Sequence, residues 1–568
     1  MRGRHYASGD MTSQNLFLSL FLGWLFAGCG GANRPATGTG GSSTAETGGI
    51  SGASSAGVPG IGGSTSSLGG APAAAGGSTT SPLGGEVSAG GANGGVSQGG
   101  KAEGTGAAHL GGGGSSGAGA GGTLTGGTHQ GGSNSGSGGS SAGAPSAALT
   151  KDGEGVFTSS GLEVVSYGGY LNGESFQQDG IITHEGYQYA AFWNTNRRVV
   201  LARRALPTGE WQKFEFTDYA NTESDAHNTI SLGICPQDGT LHLAFDHHDS
   251  PLHYRRSSAG VVSEPTTETW DATSFGKVAS SLGGVAVTSV TYPRFVTEPG
   301  GNKLLLSARI GASGSGDEYL WEYDAGTQAW TSIGKYVDGI RDNINAYLHG
   351  LTYTRGGSRL HAAWCWRETP DASTNHDLLY MYSDDHGRTW QNSAGAAVSG
   401  GNLVAHLRST GLKAFTIAQN RGLINQEHLT VDALGRVHVL LSHMPDSAGD
   451  ESNFETARGR SQFFHYYRDA AGAWRKNALG LNVIANFRGK LAVAASNNVY
   501  AILPDLRLAG ASASAAYADW KLLDMQDSGR FFSDPLIDSA RLENEDKLTV
   551  LFPQKRSPNI YALDYTLR

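Results

Sequence analysis

The sequence predicts an all-β fold, a seven-bladed propeller, placed behind a signal peptide and a long disordered Gly/Ser-rich tether. Three observations carry this. A short apolar strand recurs seven times, beginning at Tyr187, Leu241, Lys303, Leu360, Val437, Val499 and Leu548. Most copies are followed by a second aromatic strand, a Gly-containing turn and often a Trp, as in LWEYDAGTQAW from Leu320 and LYMYSDDHGRTW from Leu379. The spacing, near 50 to 60 residues with one longer interval, suits a blade of several short strands better than a solenoid unit or an unrepeated sandwich.

At the N-terminus, Arg2 and Arg4 precede an uncharged apolar run from Leu16 to Phe26, ending at Ala27-Gly28-Cys29. The run is short for a bilayer span but suits a signal-peptide core. Its small-small-Cys ending resembles the lipobox of bacterial lipoproteins, which implies a lipid on Cys29. The expected location is the cell envelope, anchored by that lipid, with ordinary cleavage and secretion as the alternative. Residues 30–150 hold 42 of the 86 Gly and no Phe, Tyr or Trp, so they cannot bury enough apolar surface to offset the entropy of ordering. This segment reads as a tether with a root-mean-square reach of roughly 60 Å.

The folded domain is expected over 151–568. Its last repeat ends with Asn559 to Arg568, which matches a third blade strand and leaves nothing for a fourth. Gly161–Tyr167 is strand-like without a blade of its own, and is expected to supply the missing outer strand and close the ring. Ser393 to Leu423 is the longest connection, between blades 4 and 5. Cys235 and Cys365 fall in blades that are not neighbours and read as buried free thiols. A formal charge of −9 without a basic run gives no footprint for nucleic acid, and a monomer is expected.

Propeller geometry sorts the polar residues, because the start of each inner strand and the end of each second strand converge on one opening of the central channel. The second-strand ends read Trp193, His247, Arg309, Trp366, His443, Asp505 and Gln554. Inner-strand starts contribute Asp179, His227, Asn228, Tyr292, Arg294, His349, Gln426 and His428. A rim of His, Arg, Trp and Tyr has the composition of a binding site. On the opposite face, Ser383-Asp-Asp385-His-Gly387-Arg-Thr389-Trp390 fits the S-x-D-x-G-x-T-W pattern called the Asp-box, a turn expected to stabilise the blade rather than to catalyse.

His227, His247, Tyr292 and Arg309 lie in adjacent blades on one face, and an anionic sugar is their natural ligand. Arg309 can take a carboxylate in a two-pronged bond, and Tyr292 can carry a proton. Neutralising a uronate carboxylate acidifies the proton on C5, so that a base can remove it while the C4 oxygen leaves. Arg294 shares a face with Tyr292 by strand alternation and rivals Arg309, and of the adjacent His247 and His248 one alone can face the channel.

The motifs Val290-Thr-Tyr-Pro-Arg-Phe295, Asn345-Ala-Tyr-Leu-His-Gly350, Leu360-His-Ala-Ala-Trp-Cys-Trp-Arg367-Glu-Thr369 and Asn375 to Asp385 resemble the BNR-repeat family of secreted bacterial propellers, which includes the seven-bladed ulvan lyases. The resemblance covers about 160 to 568. It implies a polysaccharide lyase in which His227, His247, Tyr292 and Arg309 catalyse β-elimination, with Tyr292 as base and acid. Asn228, Arg294, Trp193, Trp366, Arg367 and His349 are the expected substrate-binding residues, and the expected partner is an anionic, ulvan-like polysaccharide. No cofactor is required by that chemistry. Some ulvan lyases hold a structural zinc, but the spacing of Cys365, His349 and His376 gives no ligand pattern. The competing readings are a sialidase-like glycosidase, which needs several clustered Arg, and a non-catalytic carbohydrate-binding propeller.

Overall fold

The computed structural model describes residues 146–166, 169–174, 179–301, 303–527 and 529–568. The signal-peptide, Cys29 and tether expectations fall outside these residues. Within them the chain forms seven successive antiparallel blades. The inner strands are Ile181–His184, Ile230–Cys235, Val290–Thr297, Asn345–Tyr353, His428–Val431, Lys490–Val493 and Leu536–Ile537. All seven recurrences of the sequence are the second strands, for example Tyr187–Trp193, Leu360–Arg367 and Val437–His443. These strands are buried on both faces, which is why they read as apolar runs rather than as alternating patterns.

Seven apolar clusters, one between each pair of neighbouring blades, close the ring. One joins Tyr189, Ala191 and Trp193 of blade 1 to Ile230, Leu232 and Ile234 of blade 2. The clusters that follow lie between blades 2 and 3, 3 and 4, 4 and 5, 5 and 6, and 6 and 7. The last returns from blade 7 to blade 1 through Leu551, Ile560, Ala190 and Phe192. Burial of these faces is the main force holding the blades together.

The ring is closed by a different segment from the one the sequence suggested. Leu149–Thr158 pairs antiparallel with Ile560–Leu567, from Leu149 opposite Leu567 to Thr158 opposite Ile560. Gly161–Tyr167 does not: Gly161 bridges Asn194, and Val165–Ser166 forms a small ladder with Gly169–Tyr170. The physical reason is that an outermost strand faces solvent along most of its length. Lys151, Asp152 and Glu154 therefore replace an apolar pattern, and Phe157 alone reaches deep into the closing cluster.

Blade 2 has three strands, and residues 257–289 take the place of its fourth, with Val261 and Val262 buried there. The long connection after blade 4 adds Ala397–Ser399 and Lys413–Phe415 to that blade's edge. In the turn at Ser383–Trp390, Asp385 accepts from the Thr389 backbone N–H at 2.8 Å and from its hydroxyl at 2.7 Å. Trp390 is fully buried and donates to the Gly387 carbonyl at 3.0 Å. The carboxylate of Asp385 is thus occupied in holding the turn. Cys235 and Cys365 are buried free thiols, and burial pushes both pKa values up.

Candidate functional site

The site forms where the inner strands of blades 2, 3 and 4 start. In blade 3, Thr291 pairs with Arg309 and Arg294 with Ser307, so Tyr292 and Pro293 together oppose Ala308. This bulge holds Tyr292 at φ +57°. A bulky residue, and one preceding a proline, is doubly disfavoured there, at a cost of order 1–3 kcal/mol. Surrounding contacts must hold it. The Arg309 guanidinium lies 5.0 Å from the centre of the Tyr292 ring, and the His227 and Tyr347 rings approach to 5.6 and 6.0 Å between centroids.

Because the bulge interrupts strand alternation, Tyr292 and Arg294 do not behave as face-sharing neighbours. Arg309 stays with Tyr292, donating to the Thr291 hydroxyl at 2.9 Å and to the Tyr347 hydroxyl at 3.4 Å. Arg294 turns toward blade 4, where its Nη2 donates to the Leu348 carbonyl at 3.4 Å.

Blade 2 contributes a carboxylate with two imidazoles. Asp225 stands two residues before His227, and its two oxygens meet His227 Nδ1 at 2.5 Å and His248 Nδ1 at 2.6 Å. The two rings stack, 3.9 Å between centroids and 19° apart. Burial would raise the Asp225 pKa, but the hydrogen bonds and charges of the two histidines outweigh it and hold the carboxyl well below its ordinary range. Burial lowers His227 to about 4 despite the Asp225 carboxylate, so its ring is neutral at pH 7. With Nδ1–H donated to Asp225, Nε2 carries the lone pair.

Blade 4 supplies Tyr347 and Arg367. The Tyr347 hydroxyl accepts from Arg367 at 3.2 Å as well as from Arg309, and the Arg367 guanidinium stacks 4.6 Å from its ring centre. Asn345 and Ser313 lie within hydrogen-bond reach at 3.4 and 3.3 Å. Burial alone would raise its pKa, but the two guanidiniums win and the phenol is held below its ordinary value. Arg367 is held in turn by Asn375 at 2.9 Å.

The structure therefore brings together His227, Tyr292, Arg309 and Arg367 of the residues expected from sequence. It places others elsewhere. His248, not its neighbour His247, stacks on His227; His247 Nε2 accepts from the His253 backbone N–H at 2.8 Å, in a fully buried position where burial lowers its pKa strongly. Trp193 and Trp366, expected on the rim, are instead packed between blades. Trp193 donates to the Asn228 carbonyl at 2.8 Å, and Trp366 lies edge-on to Trp364 at 5.8 Å. Large rings gain more from these apolar clusters than from the channel mouth. Asn228 serves that Trp193 contact through its backbone. His349 is wholly buried, with Nδ1 accepting from the Glu427 N–H at 3.2 Å and its pKa lowered to about 3 by burial and then by Arg294 and Arg488.

Sequence reasoning missed Asp225 and Tyr347, and it named His247 where its neighbour His248 takes the place. The D-x-H spacing of Asp225 and His227 and the Tyr of Asn345-Ala-Tyr-Leu-His-Gly350 were the signals available. Among the described residues, Asp225, His227 and His248 form the one group with metal-ligand geometry, their ligand atoms lying within 4.8 Å of one another. Cys365, His349 and His376 do not gather: His376 pairs with Glu368 at 3.3 Å and Asp377 at 3.2 Å.

The profile described as "BNR repeat-containing family member" matches residues 187–480, just over half of the chain. An ulvan lyase, long isoform, from Pseudoalteromonas sp. (strain PLSV) is 26% identical over 262 residues, covering 38% of this chain and 26% of that protein. The short isoform from Alteromonas sp. (strain LOR) is 27% identical over 246 residues, covering 35% and 46%. The chain thus spans about a quarter of the long relatives it matches and under half of the short one. Among solved structures, polysaccharide lyase Uly1 superposes with TM-score 0.56 at 20% identity, over 73% of this chain and 99% of that one. An ulvan lyase of family PL25 bound to -[GlcA(1-4)Rha3S]- gives 0.53 at 12% identity, over 71% and 94%. These likenesses establish the fold.

Proposed function

The chain belongs to the BNR repeat-containing family, and from that premise we propose that it is a polysaccharide lyase cleaving an ulvan-like, uronate-containing polymer by β-elimination. The observation that carries this reading is the convergence of Asp225–His227–His248, Tyr292 and the Arg309–Tyr347–Arg367 group at one end of three adjacent blades. The relatives named as ulvan lyases support it.

A uronate carboxylate is drawn to the positive potential of Arg309 and Arg367, and hydrogen bonds to that carboxylate strengthen as charge moves onto it. Arg309 is almost wholly buried, with its guanidinium over the Tyr292 ring. Tyr292 removes the C5 proton; the electron pair forms the C4=C5 double bond as the C4–O bond breaks. The proton returns from the Tyr292 phenol to the departing C4 oxygen. His227, kept neutral and oriented by Asp225, is placed beside Tyr292 to accept or relay that proton.

The Asp225–His227–His248 group fits a divalent cation in ligand type and spacing. A cation bound there would supply Lewis-acid neutralisation of the carboxylate.

Elimination leaves a conjugated double bond that hydrolysis does not. Incubation with ulvan or another uronate polymer should raise ultraviolet absorbance in step with chain cleavage. Reducing ends without that absorbance would point to a glycosidase, and binding with neither would point to a sugar-binding propeller.

A further inference from the structure

Beneath the candidate site, two side chains in the central channel present buried donors without acceptors. Arg294 is 1% exposed, and beyond its Nη2 bond to the Leu348 carbonyl its Nε and Nη1 have no partner. His349, the residue after Leu348, is 0% exposed. Its Nδ1 accepts from the Glu427 N–H, so the ring proton resides on Nε2, which also lacks a partner. Arg294 acts electrostatically on His349, which fits the proximity that its bond to Leu348 imposes. A buried donor left unmade costs about 1–3 kcal/mol and a charged one more, so three together demand an acceptor.

The neighbouring carboxyls do not provide it. Glu318 and Asp179 are the acids whose charges act on Arg294, and neither hydrogen-bonds it. Burial raises Glu318 to about 8 and Asp179 to about 7, with Arg294 opposing both shifts. At neutral pH the Arg294 charge is therefore only partly balanced.

We propose that Arg294 and His349 hold a small inorganic monovalent anion, chloride, inside the propeller channel. The ion accepts from Arg294 Nε and Nη1 and from His349 Nε2, and it fixes the register of the blade 3 and blade 4 inner strands below Tyr292.

The test uses the purified full chain at constant ionic strength, with chloride replacing gluconate. Wild type should show saturable broadening of the chlorine-35 resonance and a saturable rise in Tm. Arg294→Gln and His349→Leu should each weaken that binding at least tenfold. Crystals grown in bromide supply a readout that does not depend on the variants folding: an anomalous peak should lie between Arg294 and His349. No saturable effect in wild type, equal binding by both variants, or a bromide-free channel occupied by water would overturn the assignment.

Discussion

Tyr292 occupies a backbone conformation that its neighbours must enforce, and such strain beside an arginine and an imidazole makes it the candidate for chemistry to test first. Tyr292→Phe keeps the ring over Arg309 and removes the transferable proton. Folding, followed by circular dichroism and Tm, should be unchanged while turnover of a uronate polymer falls by about 10² or more. Full activity in this variant would remove Tyr292 from the mechanism. Asp225 holds the rings of His227 and His248 rather than facing Tyr292, so its replacement should have a different signature. In Asp225→Asn the two rings lose the carboxylate that fixes their tautomers, and kcat should fall by about 10² with a smaller change in KM. The pH profile should change as well, because Asp225 is the charge that opposes the burial-driven lowering of the His227 pKa. A purely structural Asp225 would lower Tm and leave the profile's shape alone.

At the scale of the element, the legibility of the sequence followed burial. The second strands were readable because both of their faces are covered, and all seven stood where the repeat placed them. The closing strand was not, because Leu149–Thr158 shows solvent a row of Lys, Asp and Glu and resembles the end of a linker. The site was half legible for a related reason. Residue type and blade position pointed to His227, Tyr292 and Arg309, but alternation could not foresee the bulge at Tyr292–Pro293 or choose between His247 and His248. Nor could it tell a rim Trp from one folded between blades, as at Trp193 and Trp366. The closing strand gives a direct test. Phe157 sits 5.3 Å from Phe192 and 4.7 Å from Trp211 between ring centroids, in the cluster that joins blade 7 to blade 1. Phe157→Ala should cost about 3–5 kcal/mol and lower Tm clearly. Val165→Ala, in the segment first expected to close the ring and 57% exposed, should stay within about 0.5 kcal/mol. The reverse ordering in a thermal melt would restore Gly161–Tyr167 as the closing strand.

At the scale of the whole molecule, the proposed lipid address and the buried charges set the conditions in which the chain works. Lipid attachment at Cys29 would hold the propeller at the cell envelope, and Cys29→Ser should then move the protein out of the membrane fraction; unchanged fractionation rules the anchor out. The buried charges act through pH, since the propeller buries many ionisable groups. Ten histidines among the described residues have pKa values lowered chiefly by burial, including His227 to about 4 and His349, His361 and His443 to about 3. Between the unfolded value of about 6.5 and these values the unfolded chain binds more protons, so stability is lost as pH falls below about 6.5. Buried carboxyls work in the opposite sense. Glu318 is raised to about 8, and Asp179, Glu427 and Glu543 to about 7, all mainly by burial. Above their unfolded values of about 4 the folded state holds the extra protons, and stability falls as pH climbs through 7 and 8. Glu174, Asp246, Asp317 and Asp538 are raised as well, so around pH 5.5 both slopes act and the ten histidines outnumber the eight raised acids by a narrow margin. Above about pH 7 the histidines are neutral in both states and the acids set the slope up to about pH 8, where buried Lys490, lowered to about 8, begins to act in the opposite sense. Tm should therefore peak near pH 6.5 to 7 and decline on both sides, more steeply toward acid. Glu318→Gln, which keeps the shape of the neutral acid, should flatten the alkaline limb while leaving the acid limb in place; a Tm that rises steadily to pH 9 in wild type would contradict the assignment of these buried carboxyls.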